Sequence, residues 1–358
     1  MSIPVNLNEY EALARERLSP MVYDYYAGGA NDEVTLTENL RSWQRMRLRP
    51  RALADVSRID TATTVLGHTV TMPVLTAPCS FNMLAHPEGE CAVARATSAA
   101  GIFQIVSMTA TKSIEEIAAT AQGLRWFQLI CFRDREITRD LVRRAEAADC
   151  SALCLTIDQP LHGRRERDIR NRFHLPPDVT MKNLEPYAAH KLSADDSSAM
   201  AKFVDDMFDP SLTWEVVAWL RSVTHLPILV KGILTAEDAS LALQHGSAGV
   251  IVSNHGGRQL DGAVSTSEAL PAVVDAVGGC AEVLVDGGVR RGTDVLKALA
   301  LGARAVIVGR PYLWGLAVNG EAGVSQVLDM LRQEIILAMG LVGRPTLTEI
   351  DRTLIMRP

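Results

Sequence analysis

A chain of 358 residues with 47% hydrophobic and 22% charged side chains is long enough to bury a large core and too evenly mixed to be intrinsically disordered. Its 36 Lys and Arg against 42 Asp and Glu give a formal net charge of −6, which argues against the basic surface that nucleic acids or anionic lipids require. The composition therefore predicts one globular unit that acts on a small molecule.

Six cysteines occur without any C-x-x-C spacing, so the sequence indicates neither a disulfide framework nor a metal site. No cationic, apolar leader begins the chain, and no apolar run is long enough to span a bilayer. These features predict a protein of the reducing cytoplasm that does not bind a membrane.

Helical patterns occupy the start of the chain. Residues 8–18 are predicted to form an amphipathic helix, and residues 21–27 a second helix that Gly28 and Gly29 would end. We expect residues 1–70 to form a helical cap packed on the remainder of the chain.

Further along, short apolar runs alternate with helical patterns that glycines such as Gly101, Gly246 and Gly302 would end. This alternation is typical of successive βα units with a parallel sheet. Eight units predict a single α/β domain over residues 1–358, a (β/α)8 TIM barrel. The predicted strands are 74–77, 103–106, 125–129, 152–157, 228–231, 249–252, 282–286 and 305–308.

One interval is longer than the others. Between Asp158, which ends the fourth predicted strand, and Trp214 lie Pro176, Pro177 and a polar run over 193–198, too many residues for an ordinary βα loop. Residues 159–213 are therefore an insertion, either a lid over the barrel mouth or a surface excursion. The pattern favours neither.

The richest polar run, residues 252–262, follows the apolar run 248–251. It contains His255, whose ordinary pKa suits a general base, and Arg258, which can bind a carboxylate. Asp158 could hold the imidazole or simply cap a helix. Because glycines let a ligand approach the backbone here, a catalytic role for His255 is favoured over a structural one.

Two glycine-rich turns follow the last two strands, Asp286-Gly287-Gly288-Val289-Arg290 and Gly309-Arg310. Backbone N–H groups and arginines at these places predict a phosphate site. Lys231, which ends an apolar run, could support a bound anion, form a Schiff base or extend to solvent. Tyr25 lies in an aromatic run that by itself predicts packing.

Several stretches together resemble the FMN-dependent α-hydroxy acid oxidases and dehydrogenases over nearly the whole chain. They are Met21-Val22-Tyr23-Asp24-Tyr25-Tyr26, Ala85-His86-Pro87-Glu88-Gly89-Glu90, Gly163-Arg164-Arg165, Leu229-Val230-Lys231-Gly232, Ser253-Asn254-His255-Gly256-Gly257-Arg258-Gln259 and Asp286-Gly287-Gly288-Val289-Arg290-Arg291-Gly292. The stretch around His255 is the most specific of them.

The resemblance implies oxidation of an L-2-hydroxy acid to the 2-oxo acid. His255 would take a proton while two electrons reach flavin N5 and then O2, Asp158 would stabilise the imidazolium, and Tyr25, Arg258 and Arg165 would hold the carboxylate. Lys231 would stabilise negative charge on the reduced flavin, and a tetramer or octamer is implied. The residues implied to hold FMN are Ala77, Pro78, Cys79, Ser80, Ser107, Gln128, Thr156, Lys231, Ser253, Asp286, Gly287, Gly288, Arg290, Gly309 and Arg310.

The chain departs from the family pattern around the substrate. Ile130 replaces a usual tyrosine, Phe132 a second aromatic hydroxyl, Ser80 an alanine or glycine and Cys79 a threonine, while Thr109 and His162 fall at positions that are often larger or apolar. A lost tyrosine hydroxyl removes a hydrogen bond worth about 0.5–1.5 kcal/mol. We therefore expect Ile130, Thr109 and His162 to contact a larger or more polar substrate.

Three other functions remain at this point. The first is an FMN dehydrogenase that passes electrons to a quinone or protein, and the second is a Schiff-base aldolase that uses Lys231. The third is a flavin-binding scaffold without activity, which the change at Ile130 supports and the retained Tyr25, Asp158, His255 and Arg258 oppose.

Overall fold

A closed barrel of parallel strands forms the centre of the protein. The computed structural model describes residues 4–187 and 199–356, and in these ranges eight strands pair in chain order, with the last strand closing onto the first. The predicted TIM barrel is confirmed. Its strands are β4 (Val74–Thr76), β5 (Gln104–Ser107), β6 (Arg125–Leu129), β7 (Leu153–Thr156), β8 (Ile228–Ile233), β9 (Gly249–Val252), β10 (Glu282–Val285) and β11 (Ala305–Val308).

Helices cover the outer face of the barrel, which is why the strands are apolar on both faces. Gly101, in the left-handed region at φ 66°, ends the first of these helices as predicted. The last one is broken where Asn319 and Gly320 leave helical geometry. The helices are α4 (Gly89–Ala100), α5 (Ile114–Thr120), α6 (Arg135–Ala147), α9 (Glu215–Val223), α10 (Ala236–Gln244), α11 (Thr266–Val277), α12 (Gly292–Ala300) and α13 (Arg310–Val342).

Three helices precede the barrel: α1 (Leu7–Arg17), α2 (Pro20–Ala27) and α3 (Val34–Arg45). The first two agree with the helices predicted over 8–18 and 21–27. The side chains of Asn6 and Ser19 cap them. The pattern did not indicate α3, and its cap comes from a distant residue. Asp261 Oδ1 accepts a 2.8 Å hydrogen bond from Thr35 N, so the start of this helix depends on the loop after β9.

Short strands close the other end of the barrel. β2 (Thr63–Val65) and β3 (His68–Val70) form a hairpin whose Val65 and Val70 pack among the side chains that fill the barrel. Leu66 N donates to Glu282 at the first residue of β10, which places the hairpin at the amino-terminal ends of the strands. The remaining short elements are β1 (Arg47–Leu48), β12 (Ile355–Met356) and the 3-10 turns Asn82–Leu84, Lys182–Tyr187, Leu347–Glu349 and Arg352–Leu354.

The insertion after β7 contains α7 (Glu166–Arg170) and α8 (Ala199–Met207); its polar run 193–198 lies outside the described residues. Its returning arm is fixed to the end of β6, because Arg133 N donates to Met207 O at 2.9 Å and Phe132 packs edge-on against Phe208. Met200 and Phe203 of α8 face the barrel mouth. The described part of the insertion therefore covers the mouth.

Gly288, in the loop after β10, must be glycine for α3 to pack against that loop. Gly288 has φ +80°, and a Cβ on it would lie 2.0 Å from Asn39 O, whereas Gly279 has φ +77° and open space around the same position. Alanine at either residue should cost roughly 1–2 kcal/mol for its left-handed backbone, and Gly288→Ala a further ~1–3 kcal/mol for the clash. Unfolding free energies from denaturant titration measure the difference; equal losses would contradict the packing argument.

Candidate active site

A cavity of about 1150 Å³, counting its open mouth, lies at the carboxyl ends of the barrel strands. Most of the predicted site residues line it, and three lie one residue behind its wall. Asp158 contacts His255, Ser253 contacts Lys231, and His162 contacts Gln159. The predicted residues in the wall are Tyr25, Ala77, Pro78, Cys79, Ser80, Ser107, Thr109, Gln128, Ile130, Thr156, Arg165, Lys231, His255, Arg258, Asp286, Gly287, Gly288, Arg290, Gly309 and Arg310.

His255 is held by Asp158 and by an unusual backbone. His255 Nδ1 lies 2.9 Å from Asp158 Oδ1, and His255, Gly256 and Gly257 all have positive φ, at 57°, 66° and 75°. A side chain at Gly257 would clash with the backbone of Leu36 in α3, so the turn requires glycine. With Nδ1 bound to the carboxylate, Nε2 is the ring nitrogen available to a ligand.

The electrostatics suit a base. Burial lowers the pKa of His255 below 6.5, with Lys231 and Arg165 acting in the same direction and Asp158 opposing them. Burial alone would raise the pKa of Asp158, but His255 and Lys231 outweigh it and the pKa is lowered. At neutral pH the pair is therefore a neutral imidazole beside a carboxylate, able to accept a proton and stabilise the resulting cation.

A buried arginine, Arg165, and a half-buried one, Arg258, lie beside this base. Arg258 donates through one nitrogen to Tyr25 O and Gly28 O, at 2.6 and 2.9 Å, and its guanidinium lies over the Tyr25 ring. Burial and the charge of Arg258 lower the pKa of Arg165 to about 10. Asp168 and Asp158 offset part of the repulsion between these cations. The pKa of Arg165 is nevertheless lowered, so a carboxylate ligand would stabilise the arrangement further.

Tyr25 satisfies both interpretations made from the sequence. Its ring stacks on Phe173 with centroids 4.0 Å apart, and the residue also lines the cavity. Burial raises the pKa of its phenol, which keeps the group protonated as a hydrogen-bond donor.

Lys231 belongs to a buried ion pair. Its Nζ donates to Ser253 Oγ at 2.8 Å and lies 3.1 Å from Asp286 Oδ2. Burial opposes the charge, but Asp286 and Asp158 outweigh it and raise the pKa of Lys231. A Schiff-base nucleophile must be a neutral amine, so the aldolase alternative is wrong for this geometry.

The opposite side of the cavity fits a ribityl phosphate. Asp286 Oδ1 is buried without a partner among the described residues, as suits an acceptor for a ligand hydroxyl. α13 begins at Arg310 with no side-chain cap at Gly309. Pro311 has no N–H and Tyr312 N donates to Gly309 O, so the first-turn N–H that suits an anion is that of Arg310. Burial lowers the pKa of Arg290, and a phosphate would offset that cost.

The Arg310 side chain also binds backbone oxygens of three residues. Its guanidinium donates to Tyr26 O, Gly256 O and Gly28 O at 2.8, 3.1 and 2.9 Å. It thereby joins the end of α2 to the His255 loop. Two of its five guanidinium N–H groups make none of these bonds, so the side chain keeps donors for the phosphate predicted there.

Several site residues were not predicted from the sequence. Asn39 and Asn254 exchange two 2.8 Å amide hydrogen bonds, and Gln259 donates to Asp158 O at 2.8 Å. Asn254 and Gln259 stand inside the recognised stretch around His255, but nothing in the pattern pointed to Asn39, 215 residues away. The cavity also includes lining residues that were not predicted: Tyr26, Met108, Gln159, Met200, Phe203 and Phe208.

Comparison with known proteins identifies the class. The family described as FMN-dependent dehydrogenase matches residues 14–357, and the chain belongs to it; its cofactor is FMN. The sequence is 53% identical to glycolate oxidase of Spinacia oleracea over 348 residues, which cover 97% of this chain and 94% of that protein. Glycolate oxidase 3 of Arabidopsis thaliana is also 53% identical over 348 residues, which cover 97% of this chain and 95% of that protein.

Solved structures agree with this assignment. Mandelate oxidase with (S)-4-hydroxymandelic acid is 45% identical in sequence, with a TM-score of 0.93 and 98% of each chain covered. In the described ranges no helix has the length and apolarity to cross a membrane, and no group of three or more His, Cys, Asp or Glu side chains could hold a metal ion.

The buried Lys231–Asp286 pair should be strongly coupled. In flavin-free protein, Lys231→Met leaves the Asp286 carboxylate uncompensated and should lower the unfolding free energy by about 3–5 kcal/mol. Adding Asp286→Asn should recover part of that loss.

Lys202→Met is the matched control, because the Lys202–Asp206 pair has the same 3.1 Å separation but side chains that are 58% and 59% exposed. It should change stability little. Additive losses in the double variant, compared with the single variants Lys231→Met and Asp286→Asn, would contradict the coupling. Denaturant unfolding measures these three variants, Lys202→Met and the unchanged protein.

Proposed function

We propose that this protein oxidises an L-2-hydroxy acid to the 2-oxo acid with FMN, and that O2 reoxidises the cofactor. The observation that carries the proposal is a neutral His255 held by Asp158 at 2.9 Å, beside the buried cation Arg165 and the half-buried Arg258. The relatives named above are oxidases, which favours O2 over a quinone or protein acceptor.

Each group has a separate task in this reaction. Arg258, whose second terminal nitrogen is free of the bonds made by the first, binds the substrate carboxylate together with Arg165 and the Tyr25 hydroxyl. His255 Nε2 removes a proton, and Asp158 stabilises the imidazolium that forms. FMN, when bound, supplies the acceptor for the two electrons. His255 is thus the base and the other residues bind or orient.

The substrate carries a sizeable apolar portion. Ile130 from the end of β6, Met108 from the end of β5, and Met200, Phe203 and Phe208 of the insertion line one part of the cavity. A small acid such as glycolate would leave these surfaces in contact with water, whereas a larger side chain would bury them and gain the hydrophobic free energy. This supports a substrate larger than glycolate or lactate.

The same proposal extends to assembly and location. Leu337 and Leu341, one turn apart in α13, are 62% and 69% exposed, with Ile336 beside them at 38%. This apolar strip supports a homo-oligomer. All six cysteines are free thiols, which supports a reducing compartment such as the cytoplasm.

Anaerobic flavin bleaching tests the reaction. A large L-2-hydroxy acid such as (S)-mandelate should bleach the bound FMN, glycolate should do so much more slowly, and air should restore the colour. His255→Ala should slow bleaching by about 10²–10⁴-fold while FMN stays bound.

His245→Ala is the control, because His245 stacks on Trp214 away from the cavity. Normal bleaching by the His255 variant would refute the base assignment. Equal rates with glycolate would refute the proposed substrate size.

The pH profile reports the Asp158–His255 pair. Because the pKa of His255 is lowered below 6.5, kcat/KM should stay constant down to pH values below 6.5 and fall only as His255 becomes protonated. Asp158→Asn removes the group that raises the pKa of His255, so this acidic limb should move to lower pH.

The same variant should lower the plateau of kcat/KM about 10²-fold or more, because the imidazolium loses its counter-charge. A limb that moves to higher pH, or an unchanged plateau, would contradict the assignment of Asp158.

A further inference from the structure

A buried carboxylate joins two loops at the barrel mouth. Glu90 lies in the first turn of α4 and is 2% exposed. Its Oε1 accepts hydrogen bonds from Asn82 N in the loop after β4 and from Thr111 N in the loop after β5, at 3.1 and 2.9 Å. Its Oε2 accepts from Thr111 Oγ1 at 2.7 Å and from Lys112 N at 3.1 Å. One oxygen therefore bridges both loops, and the other binds the second loop.

Thr111 makes a second bridge between the same loops. Its Oγ1 donates to Glu90 and also accepts from Met83 N at 3.0 Å. The two bridges thus end on Asn82 and Met83, directly after Phe81, which has a left-handed backbone at φ 61°. That conformation is costly for a residue with a side chain and persists only where its surroundings hold it. Glu90 and Thr111 provide part of that support from outside the loop.

The two loops carry different parts of the cavity wall. The loop after β4 contributes Cys79 and Ser80, the flavin wall, which we assign to FMN, and the loop after β5 contributes Met108 and Thr109, the substrate wall. Ser80 Oγ lies 2.6 Å from Thr109 Oγ1, so the two walls meet at this contact. Met108 belongs to the apolar part of the cavity that we assign to the substrate side chain. The bridges at Glu90 therefore fix the separation of the two walls.

The two loops depend on Glu90 unequally. The loop after β4 has other anchors, because the Tyr26 hydroxyl donates to Phe81 O at 2.6 Å and Asn82 Nδ2 donates to Cys79 O at 2.8 Å. The loop after β5 supplies three of the four donors that Glu90 accepts. Without the carboxylate these donors lose their acceptor, which is costly in a buried place. Loss of the carboxylate should therefore displace the substrate wall more than the flavin wall.

The groups that bind and deprotonate the hydroxy acid itself have other supports. Arg258 donates to Tyr25 O and Gly28 O, and His255 is held by Asp158. The positions of the base and of this cation therefore do not depend on the bridges at Glu90. A change at Glu90 should affect the substrate side chain and leave the reacting end of the substrate in place.

We propose that Glu90 is a positioning residue for substrate selection: it holds the substrate wall where a large side chain can pack on it, and so favours large 2-hydroxy acids over glycolate. This inference rests on the proposed function and adds to it a residue outside the cavity wall. Glycolate has no side chain to reach the substrate wall, so its oxidation should respond little to Glu90.

Anaerobic flavin bleaching of the holoenzyme by (S)-mandelate and by glycolate tests the inference. Glu90→Met should lower the ratio of the mandelate to the glycolate second-order rate constant about three- to tenfold. The loss should come from a higher half-saturating concentration of mandelate, with a similar rate at saturation. Glu90→Gln should lower the ratio less, because its amide oxygen can still bridge Asn82 N and Thr111 N.

A binding measurement accompanies the kinetics. Phenylglyoxylate, the product from mandelate, perturbs the flavin spectrum when it binds, and its dissociation constant should rise in Glu90→Met by about the same factor of three to ten. The flavin absorbance of each variant verifies that FMN is bound.

Val93→Ala is the matched control, because Val93 is 1% exposed in the same helix and its truncation removes no hydrogen bond to either loop. It should lower the stability of the protein and keep the ratio of the two substrates. If Glu90→Met does not fold, Thr111→Val decides by the same criterion. It removes the bridge from Met83 N and the bond to Glu90 Oε2 and keeps the size of the side chain.

Equal losses with mandelate and glycolate, or the same fall of their ratio in Val93→Ala, would overturn this inference. Failure of every 2-hydroxy acid to bleach the flavin would instead overturn the proposed function. Bleaching with a ratio that the Glu90 and Thr111 variants leave unchanged would overturn only the role of Glu90.

Discussion

Closure of the barrel is the constraint on which every other feature of this protein depends. Parallel strands in one closed sheet have all their carboxyl ends at one rim, and here the rim collects side chains from every part of the chain. Lys231 from β8 thus meets Asp286 from the end of β10, and Asp158 from the end of β7 meets His255 from the loop after β9. None of these partners is close to the other in sequence.

The rim concentrates positive charge in a buried place. Burial lowers the pKa of Arg165 to about 10 and that of Arg310 to about 9, and in both cases the neighbouring Arg258 adds to the effect. The folded protein therefore carries an electrostatic cost that bound anions relieve. The substrate carboxylate that we propose near Arg165 and Arg258, and the FMN phosphate that we propose near Arg290 and the start of α13, would both reduce this cost.

Rigid support comes from elements outside the barrel. α3 contacts the loop after β9 and the loop after β10. Asn39 and Asn254 exchange amide hydrogen bonds, and the Trp43 indole donates to Gly287 O at 2.8 Å. Arg310 holds the end of α2 against the turn at Gly256. The His255 loop, the end of α2 and the turn after β10 are therefore parts of one hydrogen-bonded framework.

The sequence by itself determined the barrel, its strands to within two residues at either end, and most residues of the cavity wall. Apolar periodicity determined the strands because it depends on local geometry, and the glycines around His255 and after Asp286 are required by backbone conformations that few other residues adopt. Other wall residues, such as Ala77, Arg165 and Ile130, were predicted only because the chain resembles a known family. Only the tertiary structure decided the rest. Three features depend on partners far apart in the chain, whose distance no local pattern encodes. They are the cap of α3 by Asp261, the amide pair of Asn39 and Asn254, and the hydrogen bonds from the Arg310 guanidinium to backbone oxygens of α2 and the His255 loop.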